Sequence, residues 1–349
     1  MAVHIIDQPM EEEYSKYVQE HPQATFEHLL MWRNLISNHF SFVPYYLVKK
    51  NDTGIVEGIL PLFKARGLFG TRFVSIPYAV SAGILSNSIE TTQELISFAK
   101  ELTKKEKADY LEIRDLKDLD QTILSNNQKK VFSFSLSLSS NIEEIWKKLP
   151  KGSIRWGIKK AQRSGLTSEF GNNEDIFHEF YALFLNTRKH RGVPAYPASY
   201  LKDFLDKFED NARIYIARHN QKPVAAILML YYKTEMRYAF AGSVTDRSIL
   251  QMQPYHLLMW DAIHDACKRG YTTFNLGGAT ATTNDGGLYE FKKKWADQII
   301  ETPSYFYSQH GKSIPHDDTA LIKFASFCWK KMPLSVVRKL SPVVIRQFV

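Results

Sequence analysis

A chain of 349 residues can bury a large core in one domain or two, and a composition of 44% hydrophobic and 13% aromatic residues excludes a disordered polymer. Two cysteines, Cys267 and Cys328, exclude a disulfide framework and fit a reducing cytoplasm; without CxxC, HExxH or histidines at ligand spacing, no metal site is expected. Lys and Arg outnumber Asp and Glu by 45 to 37, a net charge of +8, which suits a polyanion such as tRNA, CoA phosphates, a diphosphate-linked lipid precursor or an anionic membrane face.

The first residues carry neither a basic region nor a long apolar run, so no signal peptide is expected. The longest apolar stretches, such as residues 224–232, are too short to span a bilayer. Helical spacing of Phe26, Leu29 and Leu30 predicts a helix over residues 25–37. A strand at 45–49, a turn at 51–54 and a strand at 55–63 follow, with further strand-like sequence around Phe73. An amphipathic helix at 92–106 then leads into a strand at 110–114. Asn141 is a candidate N-cap, a Lys/Arg-rich helix follows Gly152, and a domain boundary is placed near Pro150.

The second half repeats this order. Helices at 173–189 and 199–208 precede a strand at 214–217, a turn at 219–222 and strands at 224–232 and 237–241. A helix at 254–269 and a strand at 272–276 close the set. The hairpin sequence of residues 46–64 lies over that of residues 215–233 without a gap. The expected fold class is therefore α/β with mixed, mostly antiparallel sheets, in two tandem lobes at residues 1–150 and 151–310, each with the element order of an acyl-CoA N-acyltransferase lobe. Residues 311–349 form a basic amphipathic helical tail. From 321 onward it carries Lys323, Lys330, Lys331, Arg338, Lys339 and Arg346 interleaved with apolar residues and no acid, a composition suited to an anionic membrane interface or to packing on the domain.

Several segments of the second half carry a resemblance. They are Arg155-Trp156-Gly157-Ile158-Lys159-Lys160-Ala161, the run from Asn186 through Arg188 and Arg191 to Pro194, Tyr196 and Tyr200, and Tyr238-Ala239-Phe240-Ala241-Gly242-Ser243. The most specific is Phe274-Asn275-Leu276-Gly277-Gly278 followed by Gly287-Leu288-Tyr289-Glu290-Phe291-Lys292-Lys293-Lys294-Trp295. A strand ending in paired glycines, a short loop, then a Phe-Lys pair and an aromatic residue resembles the FemAB family of the GNAT acyltransferase superfamily. The resemblance is nearest to the FemAB-like proteins of exosortase and exopolysaccharide systems, with an acetyltransferase domain of the CelD/BioF type. It covers about residues 155–307 and reaches the first lobe more loosely. Two departures stand out: residues 247–254 contain no glycine where ordinary GNAT enzymes have a pyrophosphate loop, and the first lobe shows no counterpart of the residues that hold a nucleotide-linked precursor.

The resemblance implies two GNAT-like lobes and direct transfer of an acyl or aminoacyl group to an amine of a peptidoglycan- or exopolysaccharide-related precursor, without a covalent enzyme intermediate. It implies aminoacyl-tRNA or acyl-CoA as cosubstrate and no tightly bound cofactor. The enzyme would be cytoplasmic or peripheral on the inner face of the membrane, with the envelope precursor and tRNA as partners and no DNA. Aminolysis needs aligned reactants and positive charge at the developing oxyanion. The resemblance gives the charge to Lys292, and gives substrate contacts to Arg155, Arg188, Arg191, Tyr238, Ser243, Gly277, Gly278, Tyr289 and Phe291. Lys159 and Lys160 read equally well as a solvated basic face. Asp261, Asp285, Glu290 and His256 lie in the right segments for a general base, and no spacing singles one out. Two other readings stay open: an acetyl-CoA-dependent N-acetyltransferase of a small amine or amino sugar, and a noncatalytic binding protein at the membrane.

Overall fold

The computed structural model describes residues 2–68, 70–80, 82–115, 119, 125–126, 131–281, 286–308 and 319–348. The chain forms two compact units. One consists of residues 1–131, 301–316 and 346–349, and the other of residues 132–300 and 317–345. The division expected near Pro150 thus falls near residue 131, and residues 311–349 are no separate tail.

The first unit contains strands β1 (Ala2–Ile5), β2 (Val43–Lys50), β3 (Val56–Gly67), β4 (Gly70–Val74), β5 (Leu85–Ser86), β6 (Tyr110–Arg114) and β7 (Ser125–Asn126), with helices α1 (Glu11–Glu20), α2 (Leu30–Phe40) and α3 (Ile89–Lys105). The sheet order is β1-β2-β3-β4-β6, then the strand Ser304–Tyr307, then β7, with β5 on β3. Strands β2, β3 and β4 run antiparallel, whereas β4 and β6 are parallel and joined through α3. Ser88 caps α3 by accepting from Thr91 N at 3.0 Å. Leu95, Ile96, Ala99 and Leu102 form its buried face over Leu60, Leu62, Phe73 and Leu111.

The second unit contains β8 (Val131–Ser137), β9 (Thr167–Gly171), β10 (Ala212–His219), β11 (Lys222–Tyr232), β12 (Glu235–Ser243), β13 (Thr273–Thr280) and β14 (Gln298–Thr302). Its helices are α4 (Ile142–Lys148), α5 (Trp156–Arg163), α6 (Glu174–Arg191), α7 (Ala198–Phe208), α8 (Arg247–Leu250), α9 (Pro254–Lys268), α10 (Gly286–Trp295), α11 (Ala320–Lys331) and α12 (Leu334–Val344). The strand order is β14-β8-β13-β12-β11-β10-β9. Alternation along β11 sends Ala225, Ile227 and Met229 into a core shared with α5 and α9. Phe240, which registers with Leu228, meets Phe184 of α6 on the other face, ring centroids 5.8 Å apart.

The repeat expected from sequence is present in the topology of each unit. The series β2, β3, β4, α3, β6 in the first corresponds to β10, β11, β12, α9, β13 in the second, and each ends in a parallel pair, β4 with β6 and β12 with β13. The helix expected at residues 25–37 begins later, at Leu30, because residues 26–28 form a single 3-10 turn closed by a Thr25–His28 capping box.

Candidate active site

Strands β12 and β13 pair in parallel through residues 235–237 and 273–275 and then part, while the ladder of β12 with β11, present from Glu235, continues to Ser243. Both strands are irregular at the fork. On β12 the register shifts so that Met229 faces Tyr238 while Leu228 faces Phe240, leaving Ala239 as a bulge. The bulge puts Tyr238 on the face of α9, away from Phe240 and Gly242, which face α6. On β13, Gly277 takes φ +74°, a left-handed conformation that glycine adopts at no steric cost, and its N–H donates to Asn275 Oδ1 at 2.8 Å. That side-chain acceptor replaces a ladder partner where the strands separate.

Lys292, on α10, reaches this fork. It is 6% exposed, and its Nζ donates to Gly278 O at 2.8 Å and lies 6.0 Å from the centroid of the Tyr238 ring. A Cβ on Gly277 would stand 3.4 Å from that Nζ. Gly277, Gly278, Tyr238 and Lys292, all expected from the sequence to touch substrate, therefore meet at one place. Burial pushes the Tyr238 hydroxyl well above the usual tyrosine range, an effect reinforced by Tyr255 and offset by Arg191, so the phenol stays protonated.

A second polar group sits where β12 ends. Ser243 N donates to Thr187 Oγ1 at 2.8 Å, while Thr187 Oγ1 and Asn186 Nδ2 donate to Ser243 O at 3.2 and 3.1 Å. Burial raises the pKa of the Tyr255 hydroxyl, and hydrogen bonds to Ser243 and Thr187 and the charge of Arg191 oppose that rise. Arg191 itself is exposed at the end of α6. Sequence reasoning misses Thr187 and Tyr255. Thr187 lies inside the segment that carries Arg188 and Arg191, and Tyr255 follows the helix-opening Pro254, but neither has a spacing that distinguishes it.

Other expected residues are placed differently. Arg188 is engaged by the backbone: its Nε and Nη2 donate to Pro194 O at 2.9 and 2.7 Å, with Tyr196 and Phe184 rings beside it, so it holds the loop after α6. Tyr289 packs edge-on against Phe132 and Phe134 at 5.5 and 5.2 Å, a core contact. Phe291 stands edge-on to His256 at 5.6 Å. Arg155 ends the wide turn Lys151–Arg155, a segment that packs against α10, and its Nε is buried without a hydrogen-bond partner among the described residues. Lys159 and Lys160 lie over the rings of Trp146 and Trp156 at 5.8 and 4.9 Å.

The base candidates do not converge either. Burial, aided by the charge of Lys294, lowers the His256 pKa to about 4, so its ring is neutral and weakly basic. Asp261 accepts from Ser168 of β9, three strands and about 14 Å across the sheet from β12. Glu290 is exposed, and Asp285 lies outside the described residues. The Gly-free segment forms the short helix α8, capped by Asp246, and α9 then opens at Gln253 (φ +66°) with proline in its first turn.

Residues 151–293 match the acetyltransferase (GNAT) domain family. The chain is 26% identical over 136 residues to the UDP-N-acetylmuramoylpentapeptide-lysine N(6)-alanyltransferase of Weissella viridescens, a match covering 39% of this chain and 40% of that protein, less than half of its length. Among solved structures, FemX is similar with a TM-score of 0.69 at 16% identity, covering 88% of this chain and 97% of that one. A tandem GNAT protein from the clavulanic acid biosynthesis pathway is similar at 0.54 and 9%, covering 89% and 100%, so the shared feature is the fold of two GNAT lobes. The domain match, the relative and the fold together make the chain similar to GNAT acyltransferases over residues 151–293 and similar in overall fold to FemX.

Proposed function

We propose that this chain transfers an aminoacyl group from aminoacyl-tRNA to an amine of a cell-envelope precursor of the peptidoglycan or exopolysaccharide kind, forming an amide directly. The observation that carries this reading is the buried ammonium of Lys292, fixed by Gly278 O where β12 and β13 part. An ester carbonyl lying in the fork would meet backbone groups that no longer pair between the strands, with a cation beside it. Attack by the neutral amine forms the C–N bond and a tetrahedral oxyanion, which Lys292 stabilises. Collapse breaks the C–O ester bond, and the departing ribose oxygen takes the proton that the attacking nitrogen gives up.

The domain match supports the reaction class, and the Weissella relative, by its name, acts on a lysine amine of a muropeptide precursor. Arg155 and Arg191 supply positive charge for substrate phosphates. Phe291 forms part of the wall beside α10, and Ser243 with Thr187 and Tyr255 orients the acceptor. The donor reading favours tRNA over acyl-CoA because α8 and Pro254 stand where a pyrophosphate would need a flexible glycine loop and free helix-end amides.

The test is transfer of labelled amino acid from charged tRNA to a muropeptide or amino-sugar precursor, with acetyl-CoA as the competing donor. Lys292→Met is expected to lower turnover by ~10²-fold or more while leaving tRNA and precursor binding within a few-fold of wild type. Transfer from acetyl-CoA alone would replace the donor in this reading, and undiminished turnover in Lys292→Met would remove Lys292 from the chemistry.

A further inference from the structure

Helices α11 and α12 rest on α6 and bury only part of their surfaces. On α11, Trp329 is buried, and Ser326 and Lys330 abut Gly192, where an added Cβ would come within 2.2 Å of Ser326 Oγ. On α12, Val337 and Ser341 are buried, and Ser341 Oγ accepts from Ala195 N at 3.1 Å. The outer faces carry what a water-soluble surface normally avoids. Leu321, Phe324 and Phe327 follow one another at helical spacing on α11 and are 74%, 65% and 59% exposed. Val336, Leu340 and Val343 make a second, less exposed stripe on α12.

Charge surrounds these stripes. Residues 319–348 contain six Lys or Arg and no Asp or Glu. Lys323 and Lys330, seven residues apart, border one side of the apolar face of α11, and Lys331 lies at the helix's C-terminal end. Beside Phe327 opens a cavity of about 450 Å³ lined by Asn186, Lys189, His190, Lys330 and Lys331. It is large enough for a phosphate-bearing headgroup, with cationic donors from α6 and α11 and an aromatic ring at its rim.

We propose that this face docks on an anionic phospholipid bilayer, with Leu321, Phe324 and Phe327 in the interface and a lipid phosphate in the Lys189–Lys330–Lys331 cavity. Charge complementarity fixes the occupant. Apolar residues exposed in a row gain by leaving water, lysines beside them gain from anionic headgroups, and an acid-free segment meets no repulsion. Nucleic acid would satisfy the lysines but leave the aliphatic and aromatic row in water. This inference does not depend on the transferase reading. It would bring the end of β12 close to the membrane surface, because Asn186, which lines the cavity, also donates to Ser243 O at 3.1 Å.

Co-sedimentation of the full chain with vesicles tests it, using phosphatidylcholine alone and with a third of phosphatidylglycerol. Binding is expected to the anionic vesicles only and to fall with added salt. The double variants Leu321→Ser/Phe324→Ser and Lys330→Glu/Lys331→Glu should each weaken partition by about tenfold or more. The control Lys16→Glu/Lys105→Glu, which makes the same change in net charge elsewhere, should bind within about twofold of wild type. Circular dichroism and melting establish that each variant is folded. Absence of wild-type binding to anionic vesicles overturns the proposal, as does equal loss in the control. Loss of tRNA binding in Lys330→Glu/Lys331→Glu with vesicle binding unchanged would assign the cavity to RNA and likewise overturn it.

Discussion

Gly157 leaves room for an imidazole. A Cβ there would lie 2.7 Å from His256 Cδ2, and the ring is further enclosed by Phe291 and Trp295, with centroids 5.6 and 5.7 Å away. Its folded pKa of about 4 lies below the usual 6.5, so the unfolded chain binds the proton more readily between those values. Stability from this site is therefore complete above about pH 6.5 and is lost progressively as pH falls toward 4. Melting temperatures across that window should decline, and His256→Gln should flatten the part of the decline due to this ring; an unchanged slope would contradict the assignment. The same residue shows what sequence can convey about the site. Lys292 and the paired glycines are legible only through the resemblance carried jointly by the segments of the second half; alone, a lysine in a run of three reads as a solvated one and paired glycines as a turn. The neutrality of His256 depends on neighbours distant in sequence, and the diversion of Arg188 depends on the carbonyl of Pro194, which no residue pattern reveals.

Between elements, β12 and α6 meet backbone to backbone. A Cβ on Gly242 would come within 2.2 Å of Phe184 N and 2.4 Å of Leu183 C, both backbone atoms that cannot swing aside. Gly242→Ala is expected to destabilise the protein by about 2–3 kcal/mol in denaturant unfolding, and a change below about 0.5 kcal/mol would mean that α6 shifts without penalty. Element order and type are largely legible, since α3, α6, α7, α9 and the strands of both hairpins follow periods of 3.6 or 2. The short strands β8, β9 and β14 are not, because an edge or bridging strand of five to seven residues leaves little periodic signal. The Ala239 bulge is hidden as well. Straight alternation would place Tyr238 with Phe240, and only the ladder shows that one extra residue turns it toward Lys292.

For the molecule as a whole, the chain path matters more than the length of either lobe. The strand Ser304–Tyr307 lies beside β6 in the first unit, where Tyr305 is fully buried and its hydroxyl accepts from Leu119 N at 2.9 Å. A fragment of residues 1–131 therefore lacks part of its own core and exposes β6 as an edge. It should be aggregation-prone and without a cooperative melt, whereas a soluble monomer melting as sharply as the intact protein would show the late strand to be dispensable. The helix and strand periods of the first half give no sign of this dependence, since the missing piece is four residues long and follows the entire second repeat. Translation proceeds from the N-terminus, so the ribosome must pass residue 307 before the earlier-made lobe can close its sheet. The half synthesised first is thus the half completed late, and during elongation β6 stays open to chaperones or to stray strands from neighbouring nascent chains.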